Sequence, residues 1–562
     1  MTMIKTIIPH NPGPGPTLVA LCEILKIAKT IDTLVDWDEK QCKLSPGTRI
    51  VAMLLNIFSG RTPLYRVEDF FEGQDLPNLF GVGVKASDFN DDALARALDK
   101  LIEKGPKKVI STVMLNAIAI EKIDISHLHA DTTSVSVYGE YDIQEEGFID
   151  IVRGFSKDYR NDLKQLKIGL GVNQEGIPVI GEPLSGNKDD KTWNFDFIKS
   201  LSSCIGEEVD LKSITYVADS ALITEKNLKE LKDMLFISRF PATFKLEKQL
   251  IELAWQKDNW QDIGKLSDSK KAAEYRYQTF IRTIKDNKYY FVVVHSSNLD
   301  KRKQKTIDKN IDKLYKNLEK EVKALSKREF ACIKDAEAEF ALFEKKHNNP
   351  FYPLIHEVIE ITRAKKRQGK GRPPKDYVPE KETIYQIKCS IGDLDLDQKQ
   401  KAIDKASCFV LITNHFNKAP VDILKEYKNQ NSVETSFRFL KNPVFLNEIF
   451  MKKPSRIEAL TYVMLLALFL YQVLQRRVRN ALAKEGTYLV VQGGVKTTKP
   501  TGNRILELLN PINTAIVVNT DDTIERFLSG KQEEEVTSLL RLIGLKPEIY
   551  TMVRPDPFFR RE

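Results

Sequence analysis

Between Ile125 and Pro241 the hydrophobic pattern leaves helical spacing and alternates, and this stretch constrains the fold more than any other. ISHLHAD (125–131), TTSVSVYGEY, LKQLKIGLGVN and GIPVIGEPL read as strands, WNFDFIKSLSSCI as a helix, SITYVAD (213–219) as a strand, TEKNLKELKDM as a helix and LFISRFP as a strand. The order is a run of strands, then helix, strand, helix, strand, which calls for one sheet with helical crossovers. The first strand is expected to end at Asp131 and the strand SITYVAD at Asp219. An Asp is disfavoured in a strand, and one pointing inward needs a partner or a metal, so Asp131 is either a turn residue or a functional acid.

The flanks divide into further parts. Residues 1–122 carry helical periodicity in TLVALCEILKIAKTIDTLVD and RIVAMLLNIFSG. Residues 123–244 hold the first part of the strand-rich core. Residues 245–405 form an inserted mixed strand and helix domain, with Ile307, Ile311, Leu314, Leu318, Val322 and Leu325 at helical spacing. Residues 406–450 resume the core with the strand FVLITN and the helix-like VDILKEYKNQNSVETSFRFLK (421–441). Residues 451–562 are expected to be mainly helical. Their apolar run ALTYVMLLALFLYQVL falls short of the roughly 20 residues of a membrane helix and reads as a buried core helix, so no membrane partner is expected.

Charge and cysteine usage narrow the class. Six cysteines lie far apart without a CxxC pair, which argues against a disulfide framework or a cysteine zinc site and fits a reducing cytoplasm. The N-terminus lacks the shape of a signal peptide. The excess of +8 is modest, but RAKKRQGKGRPPK (363–375) concentrates seven Lys and Arg with Gly and Pro and no acid. That composition makes an exposed loop, either a solvated linker or a phosphate-binding segment. GKGRPPK resembles the AT-hook, whose Arg-Pro core lies in the minor groove, so Arg367, Lys370 and Arg372 are candidate DNA contacts.

The helix-like segment carries the decisive resemblance. Tyr427, Gln430, Glu434 and Lys441 read Y-x2-Q-x3-E-x6-K, which resembles the Y-x2-R-x3-E-x6-K signature of bacterial DDE insertion-sequence transposases. GFSKDYRNDLKQ (154–165), YVADS, FISRFP, FRFLKNP and KPTGNRILELL (499–509) are similar to blocks of one subfamily, so the resemblance covers nearly the whole chain. The sequence departs from the signature at Gln430, where Arg is usual, and at Asn431, where many relatives carry Trp. Gln430 offers a phosphate only neutral hydrogen bonds.

The resemblance implies an α/β fold with an RNase H-like catalytic core, interrupted by the inserted domain and flanked by helical regions, the N-terminal one binding DNA ends. It implies Asp131, Asp219 and Glu434 as catalytic acids ligating two Mg2+ ions, with Mn2+ as a substitute. Two such ions, about 3.5–4 Å apart, activate the attacking oxygen and stabilise the leaving one, and hard cations take carboxylate oxygens. Intervals of three and four place Tyr427, Gln430, Glu434, Phe437 or Arg438, and Lys441 on one helical face. Tyr427, Gln430, Arg438 and Lys441 are then DNA contacts. The expected function is binding of terminal inverted repeats, metal-dependent cleavage and strand transfer to target DNA by a homodimer on DNA, in a bacterial cytoplasm at the nucleoid. The alternative is a nuclease or DNA-binding regulator with this fold that no longer transposes.

Other motifs fare worse. His127 and His129 at strand spacing lack a third zinc ligand and read as core or supporting histidines. No GxSxG or GxxxxGK[ST] occurs, which argues against a serine nucleophile and ATP. Trp255 and Trp260 lie where related transposases hold a flipped base, with hydrophobic packing as the competing role.

Overall fold

The computed structural model describes residues 4–60, 62–205, 210–231, 234–298, 301–365, 377–441, 451–528 and 533–554. It is a mixed α/β protein that divides into two compact units, Met1–Arg239 with Thr413–Glu562, and Phe240–Ile412.

In the first unit, β1 (Ile4–His10) precedes the helices Gly15–Ile24, Ile27–Leu34, Pro46–Leu55, Asp91–Lys104 and Pro106–Glu121. Then come β2 (His127–Val137), β3 (Lys164–Val172), β4 (Pro178–Ser185), the helix Asp190–Ile205, β5 (Thr215–Ala218), the helix Glu225–Glu230 and β6 (Leu235–Arg239). These strands lie in the order β4-β3-β2-β5-β6. β2, β3 and β4 are antiparallel, whereas β5 runs parallel to β2 and β6 parallel to β5. Parallel neighbours need a crossover, and the two helices supply it.

The expected end of the first strand at Asp131 is corrected: ISHLHAD and TTSVSV belong to one strand, β2, which runs six residues further. Thr132, Thr133, Val135 and Val137 are residues that favour strands. Asp131 keeps its place in the ladder opposite Leu170 because its carboxylate has local partners.

The second unit holds β7 (Gln261–Lys265), β8 (Glu274–Ile284), β9 (Asn287–Ser296), β10 (Glu329–Phe330), β11 (Leu354–Ala364), β12 (Lys381–Ile391) and β13 (Cys408–Thr413). β13, β9, β8 and β7 lie side by side, and β10, β12 and β11 form a separate sheet. The amphipathic helix spans Lys301–Leu325 and buries Val322 and Leu325 with Phe340, Phe343 and Ile387. The basic segment joins β11 to β12. Arg367, Lys370 and Arg372 lie outside the described residues, while Arg363 pairs with Glu329 and Glu382. Trp255 and Trp260 pack 5.4 Å apart with the Arg276 guanidinium 5.1 and 5.0 Å from their rings, a cation–π cluster within this unit.

Back in the first unit, the helix Pro454–Glu485 is long and apolar enough to cross a membrane, yet 89% of that stretch is buried inside the protein. It packs on β4 and on the helices Pro46–Leu55, Asp91–Lys104 and Pro106–Glu121. The C-terminal region carries the helices Pro454–Glu485, Gly502–Leu509 and Glu533–Ile543, and two short strand pairs that the sequence reading did not include: β14 (Leu489–Val491) with β15 (Val495–Thr497), and β16 (Thr514–Asn519) with β17 (Ile524–Leu528). β16 also pairs with β1, so the N-terminal part is not all helical. These short strands pair across hundreds of residues or lie next to tight turns, a pattern that local periodicity does not distinguish from loop.

Candidate active site

The sheet register brings the two aspartates together. Ala130 of β2 lies opposite Ala218 of β5, so the next residues, Asp131 and Asp219, emerge side by side from parallel neighbours. Asp219 leaves the strand to cap a 3-10 turn, its carboxylate accepting from the Ala221 amide at 2.9 Å. Asp131 Oδ1 accepts from the Thr132 amide at 2.7 Å and from Lys157 Nζ at 3.0 Å.

Lys157 is the resident cation of this site. Its ammonium also donates to the Thr132 carbonyl at 2.7 Å and lies 3.4 Å from Asp190, whose other oxygen accepts from the Thr132 hydroxyl at 2.7 Å. Burial holds the Asp219 carboxyl above the usual carboxylate range, and the negative field of Asp131 adds to it, with Lys157 opposing. A raised carboxyl favours the folded state in acid, and that contribution is lost as pH rises through the raised value. Asp219→Asn is therefore expected to raise the unfolding midpoint of the metal-free protein at neutral pH, with the advantage shrinking in mild acid. Thermal melts of both proteins across that range check it.

The helix-like segment proves to be two helices, Pro420–Lys428 and Asn431–Leu440. The expectation of one continuous face for Tyr427, Gln430, Glu434, Arg438 and Lys441 is corrected. Asn429 and Asn431, whose short amides compete with the helix backbone, flank the break, and Gln430 becomes the N-cap residue of the second helix. Tyr427 stays with the aspartates: Arg239, at the end of β6, hydrogen-bonds its hydroxyl, and its pKa is raised by burial and by the fields of Asp219 and Asp131. Lys441 grips Asp158 with both carboxylate oxygens at 2.7 and 2.8 Å. The loop carrying Lys157 and Asp158 thus ties the Asp131 strand to the end of the Glu434 helix.

Glu434 itself is exposed, in the first turn of its helix, and Val433, Ser436, Phe437 and Leu440 form the buried face. No group of three His, Cys, Asp or Glu side chains is placed to hold a metal ion among the described residues. Asp131 and Asp219 fit a hard divalent cation as a pair, since two crowded carboxylates gain most from one. The three-acid set does not assemble around them.

His127 and His129 both have protein partners. His129, fully buried, shares a 2.8 Å hydrogen bond with Glu426, and His127 one of 2.8 Å with Lys418. Burial raises the Glu426 carboxyl, but the His129 hydrogen bond and the nearby His127 and Lys418 outweigh it and leave the pKa lowered. Lys157, Asp190 and Arg239 received no role from sequence. Lys157 and Arg239 lie inside the blocks GFSKDYRNDLKQ and FISRFP, so a charged residue in such a block was the available signal.

Residues 16–115 match the model of a family described as a domain of unknown function, DUF4277. No curated protein matches the sequence. Among solved structures, the Mos1 transposase paired-end complex with left transposon end is similar at 10% identity and a TM-score of 0.14, over 33% of this chain and 55% of that one. The match thus spans about half the length of that relative.

Proposed function

We propose that the chain is a DDE transposase with an RNase H-like core, binding the ends of its own element, cleaving there and joining the freed 3′ ends to target DNA. One observation carries the reading: Asp131 and Asp219 stand side by side on parallel neighbouring strands, in an order of strands and helices that fits such a core. The ordered blocks around them, and Tyr427 placed beside the pair, support it.

In this reading Asp131 and Asp219 would hold Mg2+, and the resemblance assigns Glu434, exposed on the adjoining helix and not gathered with them here, as the third acid. Bound Mg2+ supplies Lewis acidity, sharpening the attacking oxygen and neutralising the leaving one. The chain's own groups do the rest. Tyr427 and Arg239 present a donor array beside the acids, suited to a phosphate oxygen. Lys441 holds the Asp158 loop in place and is the cation of this helix assigned to a DNA phosphate. Joining two ends needs two active sites, so the proposal includes a dimer assembled on DNA.

The test is a plasmid carrying the sequences that flank the gene, incubated with the protein in Mg2+ and in EDTA. Metal-dependent excision with strand-transfer products supports the transposase. Cleavage without joining supports the nuclease, and end binding without cleavage the regulator.

A further inference from the structure

The first unit contains a cleft of about 760 Å³ beside the Glu434 helix, walled by that helix, by the second half of Pro454–Glu485 and by the loop before the helix Gly502–Leu509. We infer that this cleft is a binding site for the DNA phosphate backbone. The inference rests on the DNA-processing reading and deepens it by assigning a surface outside the acid pair.

Charge is the first reason. Arg438, Arg476, Arg479 and Lys499 line the cleft, and Glu175 is the lone carboxylate among its described lining residues. Glu175 is already tied to Arg476 at 3.0 Å. Arg438 and Lys499 form no ion pair with a carboxylate among the described residues, and Arg479 feels the field of Glu175, whose ion pair is with Arg476. Arg479 is half-buried, and its Nε is spent on the Pro500 carbonyl at 2.8 Å, which leaves its terminal nitrogens for a ligand. Burial pushes the Arg479 guanidinium below its usual pKa even with Glu175 opposing, and one carboxylate shared between Arg476 and Arg479 leaves positive charge for an anion to complete.

An orphaned polar atom is the second reason. The Ser432 hydroxyl, on the cleft wall, is buried without a hydrogen-bond partner. Buried hydroxyls are ordinarily satisfied, so one that is not marks a place for water or ligand.

The construction of the wall is the third. KPTGNRILELL, a block that the acid chemistry leaves unexplained, builds one side. The Gly502 amide donates to Gln475 Oε1 at 3.1 Å and the Asn503 amide to the Tyr471 hydroxyl at 3.0 Å. A side chain at Gly502 would strike the Tyr471 ring, so glycine is required for the loop to close on the long helix. These contacts hold the segment that carries Lys499 into the cleft lining it shares with Arg438. Several cations on different walls of one open cleft suit a phosphodiester backbone, which presents a phosphate at every step, better than a single small anion.

The test uses the full-length protein and a fluorescein-labelled DNA duplex. Arg438→Gln with Lys499→Gln removes two exposed cations that support no other described contact. The salt dependence of binding is expected to fall by roughly 1.8 in slope, at about 0.9 per phosphate contact. In the wild-type protein, duplex DNA is expected to protect Lys499 from acetylation, and polyglutamate at equal charge is not. An unchanged slope, or equal protection by polyglutamate, overturns the cleft assignment while metal-dependent cleavage by the wild type leaves the transposase reading standing. A wild-type protein that neither binds nor cuts DNA overturns both.

Discussion

Asp131→Asn and Asp219→Asn are each expected to lower Mg2+-dependent cleavage by about three orders of magnitude. Loss of one ligand from a metal site forfeits several kcal/mol of charge stabilisation in the transition state, and each 1.36 kcal/mol is about tenfold in rate. End binding should change little, because the two carboxylates repel phosphate and contribute nothing to holding it. Lys157→Ala separates the site's own cation from its acids. Lys157 now occupies the space beside Asp131 and Asp190, so its removal is expected to lower the Mg2+ concentration needed for half-maximal activity. Single-turnover cleavage of a pre-bound end duplex, titrated with Mg2+, reads all three. An Asp219→Asn protein cutting at the wild-type rate would remove the assignment of this pair.

The second large effect is on stability. Arg526 of β17 grips Asp75 with two nitrogens, and the side chains are 4% and 8% exposed. Breaking a buried pair strands the remaining charge, which costs about 3–5 kcal/mol, whereas replacing both partners with apolar side chains of similar volume is often neutral. Arg526→Ala alone is therefore expected to lower the free energy of urea unfolding by that amount, and Asp75→Leu with Arg526→Met to recover most of it. Equal losses in the single and double variants would show that the pair's charges are solvated. The same region is stitched again where the Tyr550 hydroxyl donates to the Gly13 carbonyl at 2.9 Å and bonds Thr17. The segments around Gly13 and around Tyr550 are thus joined in one body.

Elements with strong local periodicity were legible. The amphipathic helix through Ile307 and Leu325 and the alternation of strands and helices from β2 to β6 follow from which residues repeat on one side, and that repeat is written in neighbouring positions. Local signals misled where chemistry at a distance overrode them. Asp131 reads as a strand end, but Lys157, contributed by a loop 26 residues on, neutralises it and lets β2 continue. The segment from Tyr427 to Lys441 has one helical spacing, but the helix breaks between Lys428 and Asn431, where Asn429 and Asn431 favour a turn, so the two ends meet different partners.

By itself the sequence determined the acids' place in the order of elements, the inserted unit and the composition of the basic segment, because each depends on residue type and near spacing. Tertiary structure alone decided that Asp131 and Asp219 stand side by side, that Lys157 occupies their site, that Arg526 finds Asp75, and that Arg438, Arg479 and Lys499 ring one cleft. The physical reason is the range of the interaction. A strand's period says which face is buried but not which strand lies beside it, and a charge finds its partner only after packing has brought distant segments together.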